Sequence, residues 1–74
     1  MAGRQLSTVG TLERLVLRLS ATGLLADEVA EHLGLSPEEV HRHLRGAMAA
    51  LGARSKLEAV VLALRAGLVD LPAG

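Results

Sequence analysis

The run Gly34-Leu35-Ser36-Pro37-Glu38-Glu39 constrains this chain more than any other feature. Ser36 supplies an N-cap hydroxyl, Pro37 stands at the first helical position where its missing N–H costs nothing, and Glu39 completes a capping box. A helix has to begin there. Immediately before the run, Gly34 ends a short apolar-periodic segment of about Ala26 to Leu33, with Val29, Ala30 and Leu33 inward and Asp27, Glu28 and Glu31 outward. A short helix, a tight Gly-containing turn and a longer helix make the helix-turn-helix layout, whose second helix can enter a major groove. Small helical bundles use the same turn without touching nucleic acid, so the layout alone does not assign a function.

The rest of the chain repeats this punctuation. About Thr11 to Ala21, the spacing predicts a helix with Leu12, Leu15, Val16 and Leu19 as its stripe and Arg14 and Arg18 opposite, ending at Gly23. The helix opened at Pro37 runs to about Leu51 with Val40, Leu44, Ala47, Met48 and Leu51 on one side and Glu38, Arg42, Arg45 and Ala49 on the other. His41 lies on the flank. Gly52 closes this helix, and Ser55-Lys56-Leu57-Glu58 reads as a second capping box, opening a fourth helix with a buried stripe of Leu57, Val60, Val61 and Leu64. Gly67 ends it, Leu68, Val69 and Leu71 follow, and Pro72 stops further helix. No segment alternates with period two over strand length. The fold class is therefore all-α, a four-helix bundle containing a helix-turn-helix, with residues 1–9 as a flexible arm and residues 10–74 as the domain.

Composition narrows the chemistry. Seventy-four residues make one small domain, sixteen Leu supply helix packing, and there is no Cys for a thiol nucleophile, zinc ribbon or redox switch. There is no acid pair, no base-activated nucleophile and no Gly-rich phosphate loop, so neither an enzyme nor a cofactor is expected. His41 and His43 stand i, i+2 on a helix, about 200° apart, which cannot form a chelate, so no metal site is expected either. His43 reads instead as a half-buried packing residue and His32 as a surface one. The N-terminus lacks an apolar core with a cleavage site, and the apolar runs are broken at Arg18, Asp27 and Arg65, so the expectation is a cytoplasmic protein without a membrane role. The eight Lys and Arg balance eight Asp and Glu, which speaks against sequence-blind DNA binding. That balance hides an asymmetry: residues 1–40 carry three Arg and six acids, and residues 41–74 five cations and two acids.

From Val9 to Leu71 the chain resembles the LuxR/GerE-type helix-turn-helix domain of bacterial regulators, aligning without a gap. The resemblance rests on Glu13, Val16-Leu17-Arg18-Leu19, Gly23, Glu28, Ala30, Leu33-Gly34-Leu35-Ser36-Pro37, Val40, His43-Leu44 and Leu51-Gly52-Ala53-Arg54-Ser55. It implies a transcription regulator that binds double-stranded DNA, here as an effector domain by itself, with helix 37–51 as recognition helix. Carried over residue by residue, it places groove contacts on His41, Arg42 and Arg45, and backbone contacts at the N-terminal end of the second helix and around Arg54; Ser36 and Lys56 are expected among the DNA-binding residues as well. Arg can read guanine through paired donors, and His41 can donate to or accept from a base edge. The alternative for Arg42 is a solvated face paired with Glu38, four residues earlier.

The resemblance also implies that the fourth helix supplies a dimer contact; because the third helix must stay free for the groove, the surface expected for a homodimer is the fourth helix with its extension, Leu57, Val61, Leu64, Leu68 and Leu71. The chain departs from the family pattern at Leu25 for a small polar cap, Asp27 for Lys, Glu39 for Thr, and Ala49-Ala50 for a basic pair. These changes remove cations near expected phosphate. They motivate a second reading, a protein-binding or sequestering module that keeps the fold with weakened DNA affinity.

Overall fold

A computed structural model describes residues 9–70, and among them the only regular structure is four α-helices: α1 Thr11–Ala21, α2 Ala26–Leu33, α3 Pro37–Leu51 and α4 Lys56–Arg65. α1 and α3 each pack against all three other helices, while α2 and α4 flank them and do not pack on one another. Small residues make the close crossings: Ala30, Ala47, Ala59 and Ala63 are buried alongside Val16, Leu17, Val29, Val40, Leu44 and Val60. Full burial of each large aliphatic side chain contributes about 1.5–3 kcal/mol, and no described polar or charged residue is buried against that gain. No helix among the described residues is long and apolar enough to cross a membrane.

The helix ends follow from the local sequence. Gly34 adopts φ 67° at the end of α2, a left-handed conformation that strains a residue bearing Cβ, and this lets the Leu35 N–H reach back to the Ala30 carbonyl at 2.9 Å. Gly52 repeats the device on α3, with Ala53 N–H donating to Met48 O at 2.8 Å. In each case the next residue, Leu35 or Ala53, folds back onto the core. At the start of α3, Ser36 Oγ accepts the Glu39 N–H at 3.1 Å and Glu39 Oε1 accepts the Ser36 N–H at 2.9 Å, the reciprocal box read from the sequence.

Four details differ from the sequence reading. α1 is rotated so that Leu17, outside the expected stripe, is fully buried with Val16, while Leu12 is exposed. α4 buries Ala59, Val60 and Ala63, whereas Leu57 is 73% exposed and Val61 37%. Small residues face inward because α4 must approach both α1 and α3 closely. The box at Ser55 is only half closed: Ser55 Oγ accepts Glu58 N–H at 3.0 Å, but the Glu58 carboxylate takes the Arg54 N–H at 2.6 Å instead of that of Ser55. Val9 is 3% exposed, so packing reaches one residue into the segment read as an arm. Residues 1–8 of that arm, and Leu71 and Pro72, lie outside the described residues.

Candidate nucleic-acid interface

α3 carries the candidate site because its two faces are chemically distinct. Val40, Leu44 and Ala47 point into the core, which leaves the opposite side to Glu38, His41, Arg42 and Arg45. These four stand at i, i+3, i+4 and i+7 and together line a shallow depression of about 330 Å³. His41, Arg42 and Arg45 are all exposed, so their burial contributes nothing to the core.

The two arginines are not equivalent. Arg42 Nη2 lies 3.9 Å from Glu39 Oε2, so its partner is the capping glutamate one turn back and not Glu38. Among the described residues Arg42 is paired with Glu39, and the Glu13 carboxylate is taken by His43, which leaves Arg45, Arg54 and Lys56 without an acidic partner. Glu39 thus has two tasks. The Ser36 backbone N–H and then the Ser36 hydroxyl hold its carboxyl below the usual glutamate value, with smaller help from the positive charge of Arg42 and from His43.

The remaining expected contacts flank this face. Ser36 is exposed, with its oxygen accepting the Glu39 N–H and its hydroxyl also turned to the Glu39 carboxyl, so a phosphate contact from Ser36 would compete with the cap. Arg54 is exposed at the turn after α3 with its backbone fixed by Glu58, and Lys56 opens α4, partly covered. At the N-terminus of α2, Leu25 is 68% exposed and offers no side-chain acceptor to the first-turn N–H groups, while the Glu28 carboxylate accepts the Leu25 N–H at 2.9 Å.

Behind the exposed face sits a contact that helical periodicity does not reveal. His43 Nδ1 donates to the Glu13 carboxylate, with each side chain 20% exposed, so His43 is half-buried as expected but serves as a polar link between α3 and α1. Glu13 and His43 are thirty residues apart, and the only sign of their relation was that both lay among the residues carrying the family resemblance.

Comparison with curated proteins finds no match, whereas the model of the GerE family, bacterial regulatory proteins of the luxR family, matches residues 11–63. That span takes in α1, α2, α3 and most of α4, including the turn and the outward face of α3. With more than two thirds of the chain inside the match, this protein belongs to the luxR family of DNA-binding bacterial regulators.

Proposed function

We propose that this protein is a sequence-specific transcription regulator that lays α3 in the major groove of an operator and acts as a two-fold dimer in the cytoplasm. The observation that carries the reading is the joint exposure of His41, Arg42 and Arg45 in one depression on a helix whose other face is core. In this reading Arg45 donates a pair of hydrogen bonds to guanine O6 and N7, His41 meets a neighbouring base edge, and Arg42 must leave Glu39 to do the same. Ser36, Arg54 and Lys56 contact the phosphate backbone and set the register.

The dimer addresses two half-sites about one helical turn apart. Its surface is α4, where Leu57 stands 73% exposed and Val61 37% exposed. Selection of duplexes from a genomic pool at moderate salt tests the proposal, which requires fragments that bind better than random duplex. Asp27 and Glu39, the uncharged Ala49-Ala50 and a net charge of zero weaken attraction to phosphate and favour the second reading as a protein-binding module. A stoichiometric protein partner combined with no selected DNA would replace the first reading by the second.

A further inference from the structure

Glu38 is the member of the α3 depression that basic recognition does not explain. Helix capping does not need it, because Ser36 and Glu39 close the box between themselves. Neutralising Arg42 does not need it either, because Arg42 lies against Glu39. Its carboxylate is exposed on the face it shares with His41, Arg42 and Arg45, so a duplex that meets those cations also meets Glu38.

A carboxylate brought into the groove of a polyanion is unfavourable unless it accepts hydrogen bonds there. The major groove offers two base donors, the N4 amino group of cytosine and the N6 amino group of adenine. Adenine carries the N7 acceptor beside its amino group, which repels a carboxylate, and cytosine has no acceptor in that place. A glutamate therefore discriminates in favour of cytosine.

On this basis, and resting on the DNA-binding reading above, we infer that Glu38 is a specificity-determining residue that accepts a hydrogen bond from a cytosine N4 amino group. Arg45 stands seven residues further along α3, about 10.5 Å at 1.5 Å per residue, or roughly three base-pair steps for a helix lying along the groove. The operator half-site is then expected to hold a cytosine within roughly three base pairs of the guanine read by Arg45. Glu38 and Arg45 together define the ends of the stretch that one helix reads.

The test is selection of duplexes from a random pool by the wild-type protein and by Glu38→Ala and Glu38→Gln, followed by binding to base-analogue duplexes. The wild type should select a motif with cytosine at one position, Glu38→Ala the same motif with that position degenerate, and Glu38→Gln a motif shifted there toward adenine. Replacing that cytosine by an analogue lacking the N4 amino group should weaken wild-type binding about 5- to 150-fold and leave Glu38→Ala unaffected. The wild-type measurement on the analogue duplex does not depend on how a variant folds. Identical wild-type and Glu38→Ala motifs, with Glu38→Ala binding every duplex more tightly, would overturn the inference and make Glu38 a repulsive charge only. So would an analogue duplex bound as tightly as the parent. A wild-type protein that selects no motif would instead overturn the DNA-binding reading, and this inference with it.

Discussion

The His43 imidazole on α3 donates through Nδ1 to the Glu13 carboxylate on α1, tying the helix that presents the candidate site to the helix behind it. Because His43 follows Arg42 directly, the rotation of α3 that satisfies this bond also determines where His41, Arg42 and Arg45 point. A hydrogen bond to a charged group stabilises a fold by ~1.5–3 kcal/mol, and the low end applies where both partners keep a fifth of their surface in water. His43→Ala should lower the unfolding free energy by about that amount in urea titration. Glu13→Ala removes the other partner of the same link. In a double-mutant cycle the two changes should couple by about 1 kcal/mol. Additive effects would mean that Glu13 and His43 do not stabilise the fold through each other.

Acid should loosen the head of α3. Glu39 has a folded pKa below the ordinary 4.5, so its contribution is complete above that value and disappears as the pH falls through the lower folded one. Replacing Ser36 by Ala removes the cap hydroxyl and should cost ~1 kcal/mol near neutral pH. Glu39→Gln keeps the geometry without the charge. Unfolding curves recorded between pH 6 and pH 3 should show a smaller acid-dependent loss for Glu39→Gln than for the wild type, on the order of the one group that has been removed.

The proposed dimer surface separates into two parts that should behave differently. Leu57 is 73% exposed, so Leu57→Glu should leave monomer helicity unchanged while shifting sedimentation toward monomer and weakening binding to a palindromic site. Leu68 belongs to the edge of the core, and its N–H closes onto Ala63 O at 2.9 Å. Leu68→Glu should therefore lower monomer stability by about 1–3 kcal/mol through partial burial of a carboxylate, and it reports on folding more than on association. A Leu57→Glu protein that dimerises as the wild type does would remove α4 from the interface.

Gly46 sits in the middle of α3 with nothing within 4 Å of where a Cβ would be. Gly46→Ala should raise stability by about 0.5–1 kcal/mol by lowering the backbone entropy lost on folding. Thermal denaturation followed by circular dichroism measures it directly.

The helices were legible because their ends are written locally. Ser36, Pro37, Glu39, Gly34 and Gly52 act within a few residues of themselves, and the observed bounds of α2 and α3 follow from them. The outward face of α3 was legible for the same reason, since Val40, Leu44 and Ala47 fix which side is core. What was missed depends on neighbours distant in sequence. Periodicity ranks Leu above Ala, so it assigned Leu57 and Val61 inward; close helix crossing reversed this in favour of Ala59 and Ala63. Arg42 turned to Glu39 and not to Glu38, a choice between two neighbouring turns that spacing alone does not make. The Glu13–His43 link joins residues that no local pattern connects.

Sequence reading by α3 is tested most directly at Arg45, which has no acidic partner among the described residues. Selected genomic duplexes should be bound at least ~10³-fold more tightly than random duplex at physiological salt, with Arg45→Ala losing ~1–3 kcal/mol on the selected site alone. Equal affinity for selected and random duplex, or an Arg45→Ala protein that weakens on both alike, would contradict it.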